Sequence, residues 1–187
     1  MNYRQLTKEE IARLLSRGCA AENWNTVTVG EGFDPSTIYN TRFYGKVKLG
    51  RLSGKIRIEE GVEKECGIYN CCISNCEIGE GVYIADVKDL SNYRIEHDVA
   101  ICNVGSMVTS GESTFGNGTE IEILNEGGGR ELPIFDQLSS QIAYMTVLYR
   151  HDKEFVERIL DIIRTYCETK RSDYGLIESG TRIRDTS

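Results

Sequence analysis

The chain has 187 residues and a formal net charge of −7, with 40% hydrophobic and 27% charged residues. These proportions are those of a globular domain, and the negative charge argues against a nucleic-acid surface, which needs a basic stripe. The most apolar window, Ile142 to Tyr149, is shorter than the ~20 residues of a membrane span. With no membrane segment, and with seven cysteines outside any secreted disulfide framework, we expect a cytoplasmic protein.

The first predicted element is an amphipathic helix from Lys8 to Arg17. Thr7 and Glu10 have the spacing of a capping box, in which each side chain accepts a hydrogen bond from the other residue's backbone N–H. Gly18 has the position of a left-handed C-cap. We assign residues 1–40 to an N-terminal helix and capping segment, because the edge of the strands that follow requires a cover.

Residues 41–109 carry an unusual apolar rhythm. Its central positions recur every five or six residues: Ile68, Ile73, Ile78, Ile84, Leu90, Ile95 and Ile101. Helical stripes recur at three and four residues and half-buried strands at two, so this step predicts a β-solenoid whose short segments each contribute an inward residue. Earlier inward positions are Phe43, Val47, Leu49, Ile56, Ile58 and Val62. Four asparagines near the corners, where a left-handed backbone is common, are interpreted as structural: Asn70, Asn75, Asn92 and Asn103.

The second half of the chain changes character. Residues 110–134 are glycine-rich and predict a β-excursion, with one strand-like alternation from Thr119 to Leu124. Residues 135–174 predict an inserted helical hairpin, capped by Asp136 and Asp152, whose two apolar stripes share a spacing of four, three and four: Leu138, Ile142, Met145 and Tyr149, then Phe155, Ile159, Ile162 and Tyr166. Residues 175–187 return to the solenoid style, and we expect a longer protein because they stop in mid-coil.

The segment from Ile78 to Ile84, Ile-Gly-Glu-Gly-Val-Tyr-Ile, resembles the hexapeptide repeat. That resemblance implies a left-handed parallel β-helix, so the expected fold is mainly β: a hexapeptide-repeat solenoid with an N-terminal helical cap and an inserted helical hairpin. Relatives of this broad group are acyltransferases or sugar-nucleotide enzymes, usually trimers. The resemblance therefore implies acyl-CoA or a nucleotide sugar as ligand and a homo-oligomer, possibly a trimer, as the assembly.

Four further segments look like a narrower, uncharacterised bacterial family, the domain of unknown function 4954. They begin at Asn2 (Asn-Tyr-Arg-Gln-Leu-Thr), Gly18 (Gly-Cys-Ala-Ala-Glu-Asn-Trp), Phe115 (Phe-Gly-Asn-Gly) and Asn125 (Asn-Glu-Gly-Gly-Gly-Arg-Glu-Leu-Pro-Ile-Phe-Asp). The likeness covers nearly the whole chain as the N-terminal part of a longer family member. It implies no activity, because that family has none assigned.

His97 is the candidate catalytic residue. Acyl transfer needs a base of near-neutral pKa to take a proton from the nucleophile, and hexapeptide acyltransferases use a coil histidine. His97 has Glu96 and Asp98 as neighbours, although adjacent strand residues point to opposite faces. The alternative is a solvent-facing or corner histidine, and the second histidine, His151, is interpreted as a turn residue.

Two further groups of residues have a functional and a structural interpretation. Gly127, Gly128, Gly129 and Arg130 could form an anion site from successive backbone N–H groups, or belong only to the β-excursion. The cysteines could ligate a metal, but the usual Cys-x-x-Cys chelating pair is missing, and Cys71 and Cys76 suit small inward positions. We predict no metal site.

Two hypotheses for function follow. The first is a transferase-like module that handles an acyl donor or a sugar nucleotide. The second is a non-catalytic scaffold for oligomerisation or protein docking. The sequence leaves both open.

Overall fold

The computed structural model of the chain describes residues 2–122, 127 and 131–186. The chain forms two compact units. Unit 1 comprises Met1–Ser110 and Tyr174–Ser187, and unit 2 comprises Gly111–Asp173.

Short strands make up most of unit 1. Up to Val108 the helix and strands are β1 (Arg4–Gln5), α1 (Lys8–Ser16), β2 (Ala20–Ala21), β3 (Val27–Val29), β4 (Ile38–Tyr39), β5 (Arg42–Tyr44), β6 (Val47–Leu49), β7 (Lys55–Glu59), β8 (Val62–Glu65), β9 (Gly67–Tyr69), β10 (Cys72–Ser74), β11 (Glu77–Ile78), β12 (Tyr83–Ser91), β13 (Tyr93–Ile95) and β14 (Ala100–Val108). Unit 2 then contributes β15 (Thr119–Ile121), β16 (Leu132–Ile134), α2 (Ser140–Leu148) and α3 (Lys153–Glu168), and the chain returns to unit 1 as β17 (Gly175–Ile177) and β18 (Arg182–Thr186).

Two sheets build unit 1. The six-stranded sheet has the order β1-β3-β6-β11-β13-β17, in which β1 is antiparallel to β3 and the remaining pairs are parallel. The eight-stranded sheet has the order β18-β14-β12-β10-β5-β2, and the parallel pair β4 and β9 joins it at β12. Two further antiparallel pairs, β7 with β8 and β15 with β16, are separate two-stranded sheets.

The apolar rhythm sets the register of the parallel strands. Ile73 pairs with Leu90, Ile78 with Ile95 and Ile84 with Ile101, each partner lying 17 positions further along the chain. These side chains are almost completely buried and form one core with Phe43, Val47 and Leu49. The predicted inward positions from Ile68 to Ile101 are therefore all core residues.

The prediction of a left-handed parallel β-helix is wrong. The described strands belong to mixed parallel and antiparallel sheets, and neither main sheet closes on itself. The strands β12 and β14 are each nine residues long, and β12 contains two rhythm residues, Ile84 and Leu90, so the rhythm does not mark separate coil segments. A step of five to six fixes which side chains point inward, but strand length and sheet membership depend on pairing between distant residues.

A second difference concerns Ile56, Ile58 and Val62. These residues lie on the antiparallel β7–β8 hairpin and not in the main core. Ile56 and Ile58 instead pack in a small separate cluster with Cys66 and Ala100. Apolar spacing could not distinguish this hairpin from the parallel strands around it.

Helix ends follow the predicted local chemistry with one exception. The Thr7 hydroxyl accepts from the Glu10 N–H and the Glu10 carboxylate from the Thr7 N–H, which confirms the capping box. Asp152 caps α3, as predicted. The N-cap of α2 is Ser139 and not Asp136, because the Asp136 carboxylate instead accepts from the Tyr166 hydroxyl and pairs with Lys170.

Candidate functional site

A row of alternating charges crosses the six-stranded sheet of unit 1. Glu77 on β11 lies in register with Lys48 on β6 and with Arg94 on β13. Each residue directly precedes a buried aliphatic, so strand alternation directs its own side chain outward. The charge row could have been predicted from the sequence, because Lys48, Glu77 and Arg94 each stand one position before an inward aliphatic residue. Our sequence analysis did not identify it.

One carboxylate oxygen of Glu77 pairs with both Lys48 and Arg94. Glu77 Oε2 lies 3.2 Å from Lys48 Nζ and 3.7 Å from Arg94 Nη2. Lys48 Nζ also sits 5.5 Å from the ring centre of Tyr3, and Arg94 Cζ sits 5.3 Å from that of Tyr174. Such cation–π contacts and partly exposed ion pairs each stabilise by about 0–1 kcal/mol. Burial, followed by the charge of Glu77, raises the pKa of the Tyr3 hydroxyl.

The charge row lines an open cleft of about 510 Å³ that also contains His97. This volume is within the range of small-ligand sites. The two acidic neighbours of His97 have other partners, because Glu96 accepts from the Ser179 N–H at 3.0 Å and Asp98 pairs with Arg182 at 3.0 Å. His97 itself is exposed. The structure therefore places His97 in a polar cleft that Glu96 also lines, and both acidic neighbours of His97 have hydrogen-bond or ion-pair partners of their own.

The proposed anion site falls largely outside the described residues. Gly128, Gly129 and Arg130 belong to the part of the chain that the structure does not describe. Gly127 is exposed, and a Cβ added there would meet no described atom within 4 Å.

The inward cysteines pack as small apolar groups. The thiols of Cys71 and Cys76 are buried and donate to the carbonyls of Tyr69 and Ser74 at 3.0 and 3.2 Å. Burial raises the pKa of each thiol to about 11, which leaves it protonated and unreactive near neutrality. Within residues 2–122, 127 and 131–186, no group of three His, Cys, Asp or Glu side chains is placed to hold a metal.

The predicted corner asparagines have the left-handed backbone that we inferred. Asn70, Asn75, Asn92 and Asn103 all have φ between 51° and 61°. The Asn70 amide accepts from Asn40 at 3.0 Å and donates to Asp86 at 2.9 Å, in a ladder between neighbouring strands. The amides of Asn75, Asn92 and Asn103 bond to the Lys46 N–H, the Thr109 carbonyl and the Asp185 carboxylate, so all four corner asparagines have partners within the fold, in agreement with a structural role.

The helical hairpin of unit 2, formed by α2 and α3, presents a different kind of surface. An apolar groove of about 280 Å³ runs between the helices; we call it the groove, and its lining consists of Phe135, Gln137, Ile142, Met145, Ile159, Ile162, Ile163 and Tyr166. Ile162 is 60% exposed there and Met145 43%. The two stripes predicted from the sequence thus face a common space, which they do not fill.

Aromatic pairs stand at both ends of the hairpin. Tyr149 meets Phe155 near the turn, with ring centres 5.1 Å apart, and Phe135 meets Tyr166 at the other end, 5.8 Å apart. Hydrogen bonding of Tyr166 and pairing with Lys170 lower the pKa of the Asp136 carboxyl beside the second pair. These contacts set the antiparallel arrangement of the helices while the middle of the groove stays open.

The outer side of α2 carries a second apolar surface. Tyr144 is 66% exposed, and Val147 and Leu148 are each 49% exposed. At about 100° per residue, these three positions span roughly 100° of the helix surface, and their centre lies about 140° from the side that carries Ile142 and Met145, with Leu148 about 60° from Met145. We call them the ridge. Of the residues in α2, only Thr146 is buried.

None of the described helices combines the length and apolar character needed to cross a membrane.

Comparison with known proteins gives a family but no activity. A protein-family model with the description "Domain of unknown function (DUF4954)" matches residues 3–187. An "Uncharacterized protein" of Treponema pallidum (strain Nichols) is similar to the chain, with 27% identity over 193 residues that cover 97% of this chain and 27% of that protein. The chain thus spans about a quarter of the length of the curated relative it matches. No solved structure matches it significantly.

Proposed function

The chain belongs to the family described as Domain of unknown function (DUF4954), and from its helical hairpin we propose that it is a non-catalytic assembly module whose unit 2 docks a helix of a protein partner. The observation that carries this proposal is α2. Its sequence, Ser-Gln-Ile-Ala-Tyr-Met-Thr-Val-Leu, is apolar around most of the circumference, yet Tyr144 of the ridge is 66% exposed and Val147 and Leu148 are 49% exposed. Helices of this kind are normally buried on all sides.

The groove suits a helix better than a small ligand. Its volume of about 280 Å³ is just below the usual range of ligand pockets. Its lining is aliphatic and aromatic apart from Gln137, so it offers few polar groups to orient a metabolite. Two antiparallel helices with an open apolar seam are a known receptor for a third helix, whose anchors recur at i, i+3, i+4 and i+7.

A labelled synthetic helix tests this docking. The probe carries leucines at i, i+3, i+4 and i+7 and Glu, Lys and Ala elsewhere, and its fluorescence anisotropy is measured against dilute, monomeric chain. We expect anisotropy to rise with the wild-type chain and with Lys153→Glu, an exposed control on the side of α3 opposite Ile162, but not with Ile162→Glu. Docking is refuted if wild type leaves the anisotropy unchanged, for this probe and for a peptide with the α2 sequence.

A second candidate function follows from the cleft in unit 1. The transferase-like hypothesis came from fold analogy, which the mixed sheets no longer support, so the cleft alone now favours it. Lys48 and Arg94 could bind an acidic ligand in exchange for Glu77, and His97 lines the same space.

Thermal unfolding with acetyl-CoA or nucleotide sugars separates this candidate from the first. A ligand in the cleft would raise Tm by mass action, and the rise would be lost in Arg94→Ala and reduced in His97→Ala. If these ligands give the same Tm with wild type as buffer does, the candidate fails, while the docking proposal is unaffected.

A further inference from the structure

We infer that the partner docked by unit 2 is a second copy of this chain, related by a two-fold axis, with the ridge of each α2 filling the groove of the other copy. This inference rests on the proposed docking function and adds the identity of the partner.

One chain carries both halves of the contact. The groove is an open apolar recess. The ridge is an apolar surface whose three side chains are each about half exposed or more exposed than that. They lie on different sides of the same short helix, so α2 of a second copy can enter the groove while presenting its own groove in return. A two-fold arrangement satisfies both surfaces twice, whereas a foreign helix in the groove would leave the ridge exposed.

The charges on α2 favour a like partner. From Ser140 to Leu148 the helix contains no Asp, Glu, Lys or Arg. Two copies can therefore bring their α2 helices together without burying a charge or opposing like charges. A membrane surface fits less well, because interfacial helices carry basic residues along their polar face.

The exposed area is sufficient for a specific dimer. Six side chains of the hairpin are between 43% and 66% exposed: Tyr144, Met145, Val147, Leu148, Tyr149 and Ile162. Because a fully exposed aromatic side chain presents about 150–250 Å² and an aliphatic one somewhat less, these amount to roughly 500–600 Å² per copy. Two copies would bury about 1,000–1,200 Å² in total, at the lower end of specific interfaces.

Light scattering and sedimentation of the full chain test the inference. We expect wild type to form a dimer whose mass does not grow further with concentration. Tyr144→Glu removes the ridge and Ile162→Glu blocks the groove, and each should weaken dimerisation about 30-fold or more. Both residues are more than half exposed in the single chain, so circular dichroism and Tm should stay close to wild type. Lys153→Glu places a negative charge at an exposed position on the side of α3 opposite Ile162 and should dimerise normally.

A mixing experiment distinguishes the two-fold arrangement from other associations. Each variant alone loses both ridge-in-groove contacts. An equimolar mixture of Tyr144→Glu and Ile162→Glu keeps one intact contact, between the ridge of the second variant and the groove of the first. We therefore expect heterodimers in the mixture when neither variant dimerises alone.

Several results would overturn the inference. They are a wild type that stays monomeric, dimerisation unchanged by both substitutions, mass that rises without limit as in a head-to-tail chain, or no association in the mixture. A monomeric wild type that still binds the leucine helix through Ile162 would refute the second copy and leave docking intact. If the wild type neither dimerises nor binds the leucine helix or the α2 peptide, both the second-copy inference and the docking proposal are refuted.

Discussion

The buried thiols of Cys71 and Cys76 contribute to packing of the core and not to reactivity. Cys71 and Cys76 sit two positions before Ile73 and Ile78, and their sulfur atoms are also within reach of the carbonyls of Ile84 and Leu90. Desolvation dominates the shift in their pKa. At the scale of the residue, these cysteines are small hydrophobes with a weak donor.

The raised pKa values predict a loss of stability at alkaline pH. The thiols of the unfolded chain ionise near pH 9, whereas those of Cys71 and Cys76 in the folded chain ionise near 11. The unfolded state therefore releases protons first, and the free energy of unfolding should fall between pH 9 and 11 by about 1.4 kcal/mol per pH unit for each thiol. Urea unfolding at several pH values measures this slope.

The slope needs a comparison, because tyrosines and lysines titrate in the same window. The Cys71→Ala, Cys76→Ala double variant should show a shallower decline than wild type, while Cys72→Ala, at a half-buried position, should change the slope less. Equal slopes in wild type and the double variant would contradict the assignment.

Residue chemistry was only partly predictable. Asparagine tolerates a left-handed backbone, so Asn70 and Asn103 could be assigned to corners from residue type and position. The partners of Glu96 and Asp98 could not be foreseen, because Ser179 and Arg182 lie more than 80 positions away in the sequence.

Between elements, close backbone approach decides which glycines are indispensable. Gly50 and Gly79 directly follow β6 and β11, which are neighbours in the six-stranded sheet. The Cα of Gly50 lies close to the backbone of Gly79, and that of Gly79 lies close to the backbone of Glu96. A Cβ at Gly79 would lie 2.7 Å from the carbonyl carbon of Glu96, whereas one at Gly30 would lie at an ordinary 3.6 Å from its nearest neighbours. Similar turns therefore differ in their tolerance of a methyl group.

This difference predicts opposite outcomes for one substitution type. Gly79→Ala should destabilise by about 1–3 kcal/mol, because the obstructing atoms are backbone and cannot move aside. Gly30→Ala should be neutral or stabilise by up to about 1 kcal/mol, since alanine reduces the freedom of the unfolded chain. Chemical denaturation of the two variants measures both values, and equal losses would argue against backbone crowding as the cause.

Element ends show where local sequence suffices. The capping box at Thr7 and Glu10 depends on residues three positions apart, so the sequence predicted it. The cap of α2 was misassigned to Asp136, because Tyr166 and Lys170 on α3 take that carboxylate. A local rule fails when a tertiary partner competes for the same atoms.

At the scale of the molecule, the two units differ in how many of their residues are buried. Unit 1 buries a continuous cluster that runs from Leu14 to Ile177. Among the described residues of unit 2, the buried ones are Pro133, Thr146, Ile163 and Cys167. Stability within a protein follows such differences in buried contacts.

Hydrogen exchange should therefore separate the units. At concentrations where light scattering gives a monomer, we expect amides of β12 and β14 to exchange slowest and amides of α2 to exchange about 100-fold faster or more. Mass spectrometry of peptic fragments can measure both. Equal protection of α2 and β12 would show that the hairpin is stabilised by contacts beyond those of its buried residues.

The sequence by itself determined the inward residues from Ile68 to Ile101, the left-handed corners, the α1 capping box and the two apolar stripes of the hairpin, because these depend on residue type and short spacing. Tertiary structure alone decided the division into mixed sheets, the β7–β8 hairpin and the open groove, and it brought together Lys48, Glu77 and Arg94, whose charges the sequence already places one position before inward residues. Each of these depends on which distant segments pair, and an apolar rhythm that fits several pairings cannot choose among them.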